Sequence, residues 1–112
     1  MRILCVDDDR LVLAITADLI RSMGHDVIEA GDCRDAADAI RDANAIDVLI
    51  TDISMPDGPG GIELAEYART VRPGLRVIYF SGMPVVPEAS ATLLRKPCTL
   101  RELRQAIAGA AH

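Results

Sequence analysis

The chain has 112 residues, 50% of them hydrophobic and 3% aromatic, so it is one domain of ordinary size with an aliphatic core. A formal net charge of −5 and a pI near 4.8 argue against direct nucleic-acid binding, which needs a basic footprint, and against docking on anionic membranes. Cys5, Cys33 and Cys98 lack metal-ligand spacing and read as reduced thiols of a cytoplasmic protein. The stretch before Asp7 is too short in apolar residues to read as a signal peptide, and no apolar run approaches the roughly 20 residues of a membrane span.

Short apolar runs alternate with helical patterns, with no repeat, low-complexity stretch or linker. Ile3-Leu4-Cys5-Val6 is a buried-strand run. Leu11 to Met23 is a helix whose core stripe is predicted at Val12, Ile15, Leu19 and Met23, stopped by Gly24. Val27-Ile28 lies in a more polar strand, and Asp32 is the expected N-cap of a helix to about Ala43, with Ala36, Ala39 and Ile40 inward. Ile46 to Ile50 is the third strand, bounded by Thr51-Asp52, and Met55 to Gly61 is a loop by composition. Ile62 to Val71 is a helix ended by Arg72-Pro73-Gly74, and Leu75 to Phe80 is the fourth strand. Ala91 to Leu94 is the fifth, and Thr99-Leu100-Arg101-Glu102 is a capping box opening a last helix to about Ala108.

Strands alternating with helices imply a parallel α/β sheet covered on both faces. Such sheets bind ligands beyond the C-terminal ends of their strands. Asp7, Asp8 and Asp9 stand after the first strand, Asp52 after the third, Ser81 after the fourth and Lys96 after the fifth. Each has a bland reading alone: an acidic run favours a helix N-terminus, and a lone lysine is usually a solvated charge. Their convergence on one rim is less readily accidental. Clustered carboxylates repel, and a hard cation such as Mg²⁺ relieves them while leaving coordination open for a phosphoryl oxygen. A carboxylate can attack an activated phosphoryl group. A lysine ammonium and a serine hydroxyl can then neutralise charge on the transferred oxygens.

Four pieces, in order, resemble the receiver domains of two-component response regulators across almost the whole chain. They are Ile3 to Asp9, Asp47 to Pro56, Phe80-Ser81-Gly82 and Lys96-Pro97. The resemblance implies a single receiver domain over residues 1–112, with a flavodoxin-like, doubly wound, five-stranded parallel sheet. It implies Asp52 as phosphoacceptor, Ser81 and Lys96 as its catalytic companions, and a Mg²⁺ site of Asp7, Asp8, Asp52 and the Ser54 backbone carbonyl. It also implies a cis Lys96-Pro97 bond. The expected activity is Mg²⁺-dependent acceptance of a phosphoryl group from a histidine kinase or histidine phosphotransfer protein, a signalling role without separate substrate turnover. The phosphorylated chain would switch contacts with a downstream protein. Phe80-Ser81-Gly82 also looks like receivers at the C-terminus of hybrid histidine kinases.

Three departures stand out. Leu93 falls where the family usually has an aromatic switch residue, and Pro59-Gly60 falls where an acidic residue and Gly are common. Only nine residues, Gly82 to Ser90, separate Ser81 from the strand at Ala91, where a crossover with its helix needs at least ~10–12. With Pro84 and Pro87 there, the fourth crossover helix is expected to be absent or shortened, and this loop is expected to move on phosphorylation. Leu13, Ala14 and Ala17 read either as an exposed docking face for a partner helix or as part of a wider buried stripe. His25 and His112 read as incidental. No output domain follows the last helix, so the chain reads as a stand-alone regulator or a receiver cut from a larger protein, and Met1 favours the first. Two competing readings are a haloacid-dehalogenase-like phosphatase, which would make Asp7 the nucleophile and leave Asp52 unexplained, and a receiver fold that no longer cycles phosphate.

Overall fold

Alternation of apolar residues along each strand builds a two-sided core in the computed structural model, which describes residues 1–53, 60–81, 92–95 and 100–110. The order is β1 (Arg2–Val6), α1 (Arg10–Ser22), β2 (Asp26–Ala30), α2 (Cys33–Asp42), β3 (Val48–Asp52), α3 (Gly61–Val71), β4 (Arg76–Ser81), β5 (Thr92–Arg95) and α4 (Leu100–Ala110). The strands pair in parallel in one sheet, ordered β2-β1-β3-β4-β5. Because side chains alternate across a strand, Leu4, Val6 and Leu49 face a core closed by α2 and α3 through Ala36, Ile40, Leu64 and Ala68. Ile3, Cys5, Val48 and Ile50 face the opposite core, closed by α1 and α4 through Leu13, Ile20, Leu103 and Ile107. Both faces are therefore buried, as a parallel sheet requires.

Local signals terminate the helices. The Asp9 carboxylate accepts from the Leu11 and Val12 amides at 3.0 and 3.2 Å and caps α1. Asp32 caps α2 through the Asp35 amide at 2.7 Å. Gly24, at φ +92°, ends the α1 turn in a left-handed conformation that side chains disfavour. Arg72, just past α3, donates from Nε to the Ile40 carbonyl at 2.9 Å and from Nη2 to the Ala43 carbonyl. It thereby places a cation on the C-terminal end of α2.

The expected core stripe of α1 holds at Leu19 and Met23, which pack against the core as partly buried residues, but fails at Ile15. Leu13, Thr16, Ala17 and Ile20 are the buried residues, while Ile15 is 53% and Leu11 70% exposed. The run from Leu11 to Ile15 is apolar at every position, so two stripes fit the 3.6-residue period equally well. The packing of the helix against β1 and β2 decides between them. Leu13 and Ala17 consequently belong to the core, and of the expected docking residues Ala14 alone is exposed. The Gly82 to Ser90 crossover, the Lys96-Pro97 bond and the Thr99 cap lie outside the described residues.

Candidate functional site

The chain leaves β1 toward β2 on one side of the sheet and returns to place β3 on the other, so the sheet order reverses between β1 and β3. The C-terminal ends of these two neighbours frame a crevice where the crossovers diverge, the usual ligand position in an open α/β sheet. Asp7 and Asp8 come directly after β1, and Asp52 is the last residue of β3. One carboxylate oxygen from each of Asp7, Asp8 and Asp52 lies within 4.8 Å of the others. Asp7 is 4% and Asp52 9% exposed, whereas Asp8 faces solvent.

Each acid is held by its backbone surroundings. The Asp7 amide donates to the Ala30 carbonyl at 3.2 Å, tying the end of β1 to the end of β2. The Asp7 carboxylate accepts from the Asp9 amide at 2.9 Å, a local turn that leads into the α1 cap. Asp52 pairs in register with Phe80, and the Ile53 amide donates to the Phe80 carbonyl at 3.3 Å. The hydroxyl of Thr51, fully buried, donates to the Asp52 carbonyl at 3.0 Å. On the other side the α3 N-terminus closes in, with the Gly61 amide donating to the Ile53 carbonyl at 2.9 Å. Three oxygen donors so close, two of them shielded from water, suit a small hard divalent cation that keeps some of its waters. The donor set therefore fits Mg²⁺.

Of the other expected site residues, Ser81 is the last residue of β4 and pairs in register with Arg95 of β5. Its backbone thus stands one position past the Phe80 partner of Asp52, at the same end of the sheet. Lys96 comes directly after Arg95 but, like Ser54, lies outside the described residues. Leu93 is in register with Tyr79. Cys33, on the α2–α3 side, stands apart from the acid cluster, and its thiol is pushed above its ordinary range first by burial and then by Asp32 and Glu63.

Sequence reading overlooked Thr51 and the Gly60-Gly61 pair as parts of the site's frame. A glycine doublet at the start of an apolar helix was the available signal. It also missed Leu11 and Ile15 as the exposed apolar pair of α1, which lie one and two turns from Asp8.

The chain matches the family described as response regulator receiver domain over residues 3–108. It is 33% identical to a two-component response regulator of Oryza sativa subsp. japonica over 112 residues, covering 93% of this chain but 19% of that protein. The chain thus spans about a fifth of that relative's length. It is 29% identical over 109 residues to the response regulator receiver protein CpdR of Brucella abortus (strain 2308), covering 91% of this chain and 89% of that one. The crystal structure of the receiver domain from the hybrid histidine kinase CckA superposes with a TM-score of 0.88 at 33% identity, covering 100% of both chains. These neighbours share the flavodoxin-like receiver fold. No helix among the described residues is long and apolar enough to cross a membrane.

Proposed function

Since this chain belongs to the response regulator receiver domain family, we propose that it is a phosphoacceptor in which Asp52 takes a phosphoryl group from a phosphohistidine donor. The observation that carries this reading is the convergence of Asp7, Asp8 and Asp52 at the β1–β3 reversal. In this reading the three carboxylates and the Ser54 carbonyl hold Mg²⁺, which supplies neutralisation of charge on the phosphoryl oxygens. An Asp52 oxygen attacks phosphorus as the phosphorus–nitrogen bond to the donor imidazole breaks, and the imidazole leaves with that electron pair. Ser81 donates a hydrogen bond, and Lys96 a charge, to the transferred oxygens.

The partner is a histidine kinase or a histidine phosphotransfer protein, in the cytoplasm. Leu11 and Ile15, 70% and 53% exposed, sit with Ala14 on the outer face of α1 beside Asp8 and Asp9. They offer an apolar strip next to the acid site on which a donor helix bundle can pack. Phosphorylation then biases the domain between two surfaces seen by a downstream protein.

The test is intact-mass spectrometry after incubation with acetyl phosphate, with and without Mg²⁺, on wild type and Asp52→Ala. A single Mg²⁺-dependent phosphoryl adduct that vanishes in the variant supports the reading. An adduct that persists in Asp52→Ala, or a wild type that stays unmodified with both acetyl phosphate and a phosphorylated donor protein, refutes it.

A further inference from the structure

The start of α3 makes an unusually close approach to the backbone of Asp52. A Cβ built on Gly61 would lie 2.0 Å from the Asp52 carbonyl oxygen, 2.9 Å from its carbonyl carbon and 3.1 Å from the Ile53 Cα. A Cβ on Gly60 would lie 2.9 Å from the Ile53 carbonyl oxygen. Neither glycine has a positive φ, so backbone conformation does not demand them. Helix propensity disfavours a glycine at Gly61, so what demands it is space.

We infer that Gly61, with Gly60 beside it, is a positioning residue: the absent side chain lets α3 seat directly on the Asp52 carbonyl and fixes where that carboxylate stands. Three observations argue that Asp52, rather than the helix, would yield to an added methyl group. First, α3 is anchored by Leu64, Ala65 and Ala68, which are 4%, 0% and 0% exposed. Second, the Gly61 amide is bonded to Ile53. Third, β1 pairing stops at Thr51, so at Asp52 the sheet holds β3 from the β4 side, where the Ile53 amide donates to the Phe80 carbonyl. Real Cβ atoms essentially never come within 3.0 Å of such a neighbour, so something must shift by about 1 Å (3.0 − 2.0 Å); where the Asp52 carbonyl yields, a misplacement of ~1 Å can cost a reacting group 100-fold in rate.

This inference rests on the phosphoacceptor reading of Asp52, and the test separates the two. Mg²⁺ affinity by titration calorimetry and the acetyl phosphate labelling rate are measured on wild type, Gly61→Ala, Gly60→Ala and Leu64→Ala, each well below its own Tm. Leu64→Ala loosens the same helix without approaching Asp52. Gly61→Ala is expected to lose at least ~10-fold in both quantities, with a smaller loss of ~3-fold for Gly60→Ala and changes within ~2-fold for Leu64→Ala. Should Gly61→Ala not fold, the contrast between Gly60→Ala and Leu64→Ala decides. Glycine variants within 2-fold of wild type, or an equal loss in Leu64→Ala, overturn the positioning role. A wild type that binds Mg²⁺ but is never labelled overturns the phosphoacceptor reading instead, and Mg²⁺ affinity alone then decides the role of Gly61.

Discussion

Replacing Asp8 by Asn is expected to stabilise the metal-free protein and to abolish its response to Mg²⁺. Asp8 holds a carboxylate oxygen within 4.8 Å of both Asp7 and Asp52. Two unit charges about 4 Å apart repel by about 1 kcal/mol in water and about 4 kcal/mol at an effective dielectric of 20. Asp8 faces solvent, so the lower figure governs, and the two repulsions together come to about 1–2 kcal/mol. For a chain of 112 residues each kcal/mol moves Tm by roughly 4 °C. Mg²⁺ bound only by the native state adds about 1.4 kcal/mol at ten times its Kd. The amide is a far weaker ligand than the carboxylate, so this gain is lost in the variant. Urea unfolding followed by circular dichroism should show Asp8→Asn with the higher midpoint in EDTA and an unchanged slope. Adding Mg²⁺ should raise only the wild-type midpoint. An Asp8→Asn protein no more stable than wild type in EDTA, or one that gains as much from Mg²⁺, would refute the electrostatic reasoning.

Two further outcomes are expected. Arg72→Met keeps the aliphatic stem but removes the hydrogen bonds to the Ile40 and Ala43 carbonyls. It should cost about 2 kcal/mol and speed amide exchange in the last turn of α2, and a loss below about 0.5 kcal/mol would mean that water replaces the guanidinium without penalty. The double variant Leu11→Gln/Ile15→Gln alters exposed side chains with good helix formers, so stability should stay within about 0.5 kcal/mol. Its labelling by acetyl phosphate should be unchanged, while transfer from a phosphohistidine protein falls about 10-fold or more. Equal transfer rates would remove the outer face of α1 from the docking surface.

The alternation of strands and helices was legible in the chain because each apolar run is short and each helix carries its own signal: Asp32 before α2, Gly24 after α1 and Pro73-Gly74 after α3. The acids were legible for the same reason. A parallel sheet gathers the C-terminal ends of its strands on one rim, so Asp7, Asp8 and Asp52 had to share an end of the molecule. The chain alone left open anything that depends on rotation or on approach between elements. The run from Leu11 to Ile15 is apolar all round, so periodicity could not say which side of α1 is buried. Only the docking of the helix on β1 and β2 turned Leu13, Ala17 and Ile20 inward and left Leu11 and Ile15 in solvent. The role of Gly61 was equally hidden, since a glycine in a loop-like stretch reads as a turn. It becomes a steric requirement only once packing brings α3 against the Asp52 carbonyl, a contact that no local propensity encodes.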